Sequence, residues 1–287
     1  MNTSNKKISF VIPAYNCADT LLESVGSIFG GNFETGDEVI IVNDASTDAT
    51  GKIIRKLRAA YPHIIQIDNL ENKGCPASRN IGIRASRNSL IFNLDADNVL
   101  ASGSIKELKR LLMEKKADAA AFGECHYFTK KTSDITHKWI YKPGRLTLAD
   151  FLSGTINPGP GGNFLHTREM YDKIGGYWEY GKGLHEAWGF TLKQLANGAK
   201  FEILPHSNYF HRYGIDSLFV RESKKKGDSS LMATRMIDNF IGILSEKDQI
   251  MIKSEEVSRT WFENPSSWPL RLKDGSKGVN GYKISMK

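Results

Sequence analysis

Two carboxylates, Asp95 and Asp97, stand two residues apart directly after the apolar run at 90–94, LIFNL. In extended backbone such residues project to the same side, so the pair can share one hard divalent cation through carboxylate oxygens. A cation held this way keeps coordination positions for phosphate oxygens, and a metal-bridged diphosphate is the chemistry the spacing favours. A third carboxylate, Asp44, follows another apolar run at 38–43, EVIIVN. Arg79 and Asn80 come after the turn Asn72-Lys73-Gly74 and would suit phosphate or base contact. Each has a plainer alternative: Asp44 as a turn or helix cap, Arg79 facing solvent, and Tyr15, after the first apolar run, packed in the core.

These groups can converge only if the elements before them lie side by side. Residues 8–13 (ISFVIP), 38–43, 64–67 and 90–94 are short, apolar and rich in β-branched residues, as strands covered on both faces are. Between them, Leu21, Leu22, Val25 and Ile28 recur at helical spacing. Ser46, Thr47 and Asp48 offer N-cap oxygens to a second helix with Ile53, Ile54, Leu57 and Tyr61 on one face. A third helix starts near Pro76, and Ser102 is expected to cap a fourth with Ile105, Leu108, Leu111 and Leu112 inward. This βαβαβαβ succession predicts an α/β fold, an open and mostly parallel sheet with helices on both faces. Its ligand should sit beyond the C-terminal strand ends. Those ends carry Pro13-Ala14-Tyr15-Asn16, the Asp44 turn and Asp95-Ala96-Asp97-Asn98. No Gly-x-Gly-x-x-Gly and no Gly-Lys-Ser/Thr follows the first strand, which argues against a dinucleotide fingerprint and a P-loop.

The ordered set Val11-Ile12-Pro13-Ala14-Tyr15-Asn16, Val42 through Asp48, Asn72-Lys73-Gly74 through Asn80, and Leu94 through Asn98 resembles the nucleotide-binding half of the family 2 glycosyltransferases, with the GT-A fold. The likeness is close over about the first 100 residues and looser to about residue 213. It implies inverting transfer of a sugar from a nucleoside diphosphate donor, most often a UDP-sugar, to a glycan or glycolipid acceptor, with Mn2+ or Mg2+ on the Asp-x-Asp pair. It further implies that Pro13, Ala14, Tyr15, Asn16 and Ala96 line the nucleotide-sugar site. Tyr15 would lie along the base, Asp44 would accept from the uracil N–H and Arg79 would contact the nucleotide. Asp95 would hold ribose or sugar hydroxyls, and Asp97 the metal.

Inversion needs a general base opposite the leaving group, and Glu186 in the segment 183–190 (GLHEAWGF) is the candidate. The family's late element carries an acidic pair at a helix start. Counting back from Asn197-Gly198, Glu186 takes the first acidic place and Ala187 the second. A one-residue slip instead puts His185 first and leaves Glu186 as base. The plainer role for Glu186 is an acid at a helix N-terminus. The segment 159–164 (GPGGNF) suits a tight loop that brings backbone close to the donor sugar, or a connecting turn. His211, in 209–213 (YFHRY) after a strand-like 200–204, is a candidate third metal ligand or a ring packed among aromatics.

The 287 residues carry 39 Lys and Arg against 32 Asp and Glu, a net +7. Residues 1–141 contribute 18 against 16, net +2, and residues 142–287 contribute 21 against 16, net +5, so the excess leans toward the second half. Neither a nucleic-acid module nor a basic and aromatic stripe is present. Cys17, Cys75 and Cys125 are too scattered for a disulfide framework or a zinc site. No apolar stretch approaches the roughly 18–20 residues of a membrane span. A cytoplasmic protein is expected, with peripheral contact at the inner membrane face left open through its tail. The expected organisation is a GT-A domain over 1–213, split into nucleotide-sugar binding (1–100) and acceptor or catalytic (101–213) parts, and a helical extension over 214–287. Arg221 and Lys224-Lys225-Lys226 read as a solvated face, or as a segment able to close over diphosphate. A sugar-nucleotide or glycan binding module without turnover is the alternative function. Nucleotidyl transfer is disfavoured because no triphosphate loop follows the first strand.

Overall fold

The structure, a computed structural model, describes residues 6–152, 162–180, 185–214, 235–253, 270–276, 278 and 282–286. The four apolar runs form strands β1 (Ile8–Ala14), β2 (Glu38–Asn43), β3 (Ile64–Asp68) and β4 (Leu90–Asn93). They lie side by side as β3-β2-β1-β4, every pair parallel. Phe10 and Ile12 face one side of the sheet and Val11 the other, and all three are fully buried. Both faces are therefore covered, which is why these strands read as continuous apolar runs.

Helices α1 (Leu21–Phe29), α2 (Thr50–Ala60) and α3 (Cys75–Ala85) connect them. Asp48 meets the start of α2 as expected, its Oδ1 accepting from the Thr50 N–H at 2.9 Å. α3 presses on the face bearing Val11, Ile40 and Val42, and Gly82 makes the close approach: a methyl there would stand 2.5 Å from Val11 Cγ1. After β5 (Val99–Leu100) comes α4 (Ser104–Lys115), which buries Ile105, Leu108 and Leu112. Its expected cap differs. Gly103 at φ +75 turns the chain, so the Ser102 hydroxyl donates to the Gly30 carbonyl at 2.9 Å. The oxygen facing the first turn comes from Asn32, whose Oδ1 accepts from the Ile105 N–H at 3.1 Å.

The second half adds β6 (Ala119–Phe128), β7 (Ile135–Ile140), β8 (Gly144–Leu146), α5 (Leu148–Leu152), β9 (Leu165–Thr167), α6 (Arg168–Ile174), α7 (Glu186–Ala196) and β10 (Phe201–Arg212). The sheet continues from β4 through β9, β6 and β7, with antiparallel pairs, while β10 runs parallel beside β6. The strand expected at 200–204 and the segment 209–213 prove to share one strand, β10. A register shift between Leu204 and Asn208 interrupts it, with His206 at φ +53. Ser207 bridges the irregularity, its Oγ donating to the Leu204 carbonyl at 2.7 Å and accepting from the Gly123 N–H at 3.1 Å.

The extension is not wholly helical. It carries α8 (Glu246–Lys253) and also β11 (Tyr282–Ser285), an edge strand antiparallel to β7. Met236, Ile237, Leu244, Met251, Ile252 and Leu270 join the same core as the N-terminal strands. Gly159, Pro160, Gly161, Arg221, Lys224, Lys225, Lys226, Trp268 and much of the expected helices at 231–244 and 250–262 lie outside the described residues. Among the described residues no helix is long and apolar enough to cross a membrane.

Candidate active site

The chain moves from β1 outward to β2 and β3, then returns to the other side of β1 for β4. The strand order reverses there, between β1 and β4, which is where an open sheet of this kind takes its ligand, beyond the C-terminal strand ends. Tyr15 and Asn16 follow β1, the Asp44 turn follows β2, and Asp95 to Asn98 follow β4. Pro13 and Ala14 are the last residues of β1, and Ala96 is buried between the two acids.

Asn16 and Ala45 both adopt positive φ, +47 and +56. The Asn16 Oδ1 accepts from the Thr47 N–H at 2.8 Å, and Ser46 Oγ accepts from the Asn16 N–H at 3.1 Å. Asn tolerates this left-handed backbone, so it staples the two turns together. Tyr15 is left 46% exposed after the end of β1 instead of packing in the core. Asp44 is 2% exposed. Its Oδ1 accepts from Asn69 Nδ2 at 2.7 Å and the Lys73 N–H at 2.9 Å, and its Oδ2 from the Gly74 N–H at 2.8 Å. It thereby fixes the turn that launches α3.

Arg79, on α3, is buried rather than solvent-facing. Its Nη2 meets Asp95 Oδ1 at 2.5 Å and its Nη1 meets Glu186 Oε1 at 2.8 Å, while the buried Nε has no partner. One guanidinium thus joins the Asp-x-Asp pair to the first residue of α7. Asn80, expected beside the nucleotide, is fully engaged elsewhere. It accepts from the Tyr171 hydroxyl and the Tyr177 N–H and donates to the Tyr177 carbonyl and Glu179, tying the second half to α3.

Asp95 is further held by Asn98 Nδ2 at 3.1 Å and Asn163 Nδ2 at 3.0 Å, both on Oδ2, and its N–H donates to Asn163 Oδ1 at 2.9 Å. Burial opposes its ionisation, but the Arg79 charge and the Asn163 amide outweigh that and hold the carboxyl below the usual range. Asp97 fares the other way: burial, then the neighbouring Asp95 charge, pushes it up to about 7. Its carboxylate makes no hydrogen bond or ion pair to another side chain among the described residues, although its carbonyl accepts from Arg212 Nε at 3.2 Å. A half-buried carboxylate without a side-chain partner among the described residues, beside a second carboxylate, is an oxygen donor set that fits a hard divalent cation.

Glu186 opens α7 and is pushed up by burial, with Arg79 pulling against the shift. His185 before it stands at φ +57, and burial lowers its pKa to about 4. His211 on β10 places Nδ1 3.2 Å from Asn98 Nδ2, so it borders the site. Among the described residues no three His, Cys, Asp or Glu side chains converge as a metal cluster, so His211 is not gathered with Asp95 and Asp97 in this conformation. The residue missed by sequence reasoning is Asn163, within the glycine-rich segment. Gly162 at φ +48 lets the backbone pass Arg79, since a methyl there would lie 3.1 Å from Nη2 and 3.3 Å from Ala187 Cβ. An Asn next to such a glycine was the available signal.

Residues 9–175, more than half of the chain, match the model of glycosyl transferase family 2. The chain is 24% identical over 210 residues to the poly(ribitol-phosphate) beta-N-acetylglucosaminyltransferase TarP of Staphylococcus aureus, covering 71% of this chain and 62% of that one. It spans less than two thirds of the length of the curated relatives it matches. Among solved structures, S. aureus TarS 1-349 in complex with UDP-GlcNAc superposes with a TM-score of 0.68 at 17% identity, over 89% of this chain and 72% of that one. The mannosyltransferase PcManGT of Pyrobaculum calidifontis, in complex with GDP-Man and Mn2+, does so with 0.60 at 14%, over 92% and 72%. These structures share the fold, and with the family match they establish that the chain belongs to glycosyl transferase family 2 and has the GT-A architecture.

Proposed function

We propose that this chain is an inverting glycosyltransferase that moves a sugar from a nucleoside diphosphate donor, a UDP-sugar, to a glycan or glycolipid acceptor. The observation that carries the proposal is the Asp97 carboxylate, without a side-chain partner among the described residues, beside Asp95 at the strand-order reversal. These two would hold Mn2+ or Mg2+, and His211 would join them only by moving closer. When bound, the cation neutralises charge on the departing diphosphate.

The remaining roles fall to groups of the chain itself. Tyr15, exposed at the end of β1, supports the base, and Asp44 keeps acceptor capacity on Oδ2 for the uracil N–H. Arg79 keeps Asp95 ionised next to the nucleotide. Asp95 is ionised and oriented by three neighbours, as a group meeting ribose or sugar hydroxyls must be. Glu186 is committed to Arg79 through Oε1, and its Oε2 takes the proton of the acceptor hydroxyl as that oxygen attacks the anomeric carbon. The raised Glu186 carboxyl is nearer the operating pH than an ordinary one, which suits a base.

One observation favours a second reading, a sugar-nucleotide binding module without turnover. On the count back from Asn197-Gly198, Ala187 takes the second acidic place, and Glu186 is already paired. Calorimetric UDP binding and hydrolysis of a UDP-sugar panel, with and without Mn2+, separate the two. The proposal expects Mn2+-dependent binding, at least tenfold weaker in Asp97→Ala, and turnover that Glu186→Gln abolishes with UDP affinity kept. Unchanged, metal-independent binding in Asp97→Ala refutes the metal site. Tight binding without turnover of any donor supports the silent module.

A further inference from the structure

Arg212, the last residue of β10, is the meeting point of several segments and takes no part in the roles above. Its Nε donates to the Asp97 carbonyl at 3.2 Å, and its backbone N–H donates to Asn98 Oδ1 at 3.1 Å. Nη1 is shared by the Thr129 and Lys130 carbonyls, at 3.1 and 3.3 Å, just past the end of β6. Nη2 is paired with the Glu23 carboxylate on α1. The guanidinium also lies over the Phe128 ring, 4.4 Å from its centroid. With a side chain only 16% exposed, this arginine is fixed by an aromatic plane, three carbonyls and a carboxylate.

What it grips is the loop of the carboxylate pair. The Asp97 carboxylate has no side-chain partner among the described residues, and Arg212 acts on this residue through its peptide carbonyl. It reaches Asp95 through Asn98, whose Nδ2 donates to Asp95 Oδ2 at 3.1 Å while its Oδ1 accepts from Arg212. One residue thus bears on both acids without a hydrogen bond to either carboxylate. Two like charges on one side of a strand end repel, and a free loop relieves the repulsion by turning one of them out to water. A loop held before the cation arrives has given up that freedom, so binding imposes less ordering.

From this arrangement we infer that Arg212 is a positioning residue for the cation site, holding the 95–98 loop from α1 and the end of β6 so that Asp95 and Asp97 stand ready together; the inference rests on the metal reading of that pair proposed above. Arg212 acts as an outer partner of the groups that meet the cation, and such partners set the orientation of the ligands they hold. The geometry of the fork explains the residue type. Its N–H groups serve Asp97, the Thr129 and Lys130 carbonyls and Glu23 at once, and the planar guanidinium keeps those directions in fixed relation. A lysine would keep a charge for Glu23 and a stem over Phe128, but its single ammonium cannot hold the Asp97 carbonyl while meeting the other partners.

The test is calorimetric UDP binding by the full chain with Mn2+ and with EDTA, the ratio of the two affinities giving the metal dependence. Arg212→Lys is expected to reduce that ratio about tenfold, as loss of an outer partner of a metal ligand does. Its affinity in EDTA should stay within about twofold of wild type. Glu23→Gln, at a side chain 46% exposed, should lower the ratio in the same direction by a smaller factor, and it carries the test if Arg212→Lys does not fold. A double-mutant cycle separates positioning from a merely structural role. Placed on Asp97→Ala, Arg212→Lys should change UDP affinity with Mn2+ by less than about twofold, because the group it positions is gone. An unchanged ratio in both variants, equal losses with Mn2+ and with EDTA, or an undiminished further loss on Asp97→Ala would each overturn the inference. A wild type whose UDP binding is the same with Mn2+ and with EDTA would instead refute the metal reading of Asp95 and Asp97, and this inference with it.

Discussion

Replacing Arg79 by methionine removes the cation that two buried carboxylates share while keeping much of the side-chain volume. At an effective dielectric constant of about 20, each pair is worth roughly 4 kcal/mol of attraction before desolvation is subtracted. Deleting one partner of a buried pair costs about 3–5 kcal/mol, because a charge is left uncompensated. Asp95 is 25% exposed at its side chain and keeps Asn98 and Asn163, so the loss should fall near the lower end, about 3 kcal/mol. For a chain of this size that corresponds to a melting temperature lower by about 6–10 °C. The loss should also depend on pH. Burial already raises the Glu186 carboxyl against the pull of Arg79, and without the guanidinium it rises further. A carboxyl with a raised native pKa costs nothing when both states are protonated, and its penalty grows as pH climbs from the ordinary carboxylate range through the native value. Urea unfolding of wild type and Arg79→Met should therefore show the larger deficit at pH 8 and the smaller near pH 5. Arg79→Lys, a single ammonium without the fork, should recover only one of the two pairs. A deficit below about 1 kcal/mol at pH 8, or one larger at pH 5, would refute the account of Arg79 as the shared counter-ion.

His166 is fully buried, with Nε2 facing Asn93 Nδ2 at 3.2 Å and Nδ1 facing the Thr167 carbonyl at 3.2 Å, and burial lowers its pKa to about 4. The unfolded chain takes up that proton first, so stability should fall as pH drops from about 6.5 toward 4, by up to about 3 kcal/mol. His166→Gln should flatten that limb in pH-dependent urea titrations. Gly82→Ala should cost about 1–3 kcal/mol by overpacking, since the added methyl would stand 2.5 Å from Val11 Cγ1 and 3.1 Å from Val42 Cγ2. A shift in urea midpoint without a change in slope would show the effect; an unchanged midpoint would mean that α3 can move away from the sheet at no cost.

The first four strands and the carboxylates at their ends were legible in the sequence. A strand buried on both faces must be apolar at consecutive positions, and a pair spaced by two on extended backbone must share a side. Those are local rules, and runs such as 38–43 obey them residue by residue. Tertiary structure decided what depends on residues far apart in the chain. Arg79 reads as an ordinary helix residue until α7 brings Glu186, 107 positions later, to its guanidinium. Ser102 reads as a cap until Gly103 turns it away and Asn32, 73 positions from Ile105, takes its place. Asn163 could not be tied to Asp95, nor β11 to the edge of the sheet, because no periodicity records a partner contributed by another segment. The sequence by itself determined which groups could carry the chemistry; only packing decided which of them share a charge, since a buried ion takes its counter-ion from whatever element the fold sets against it.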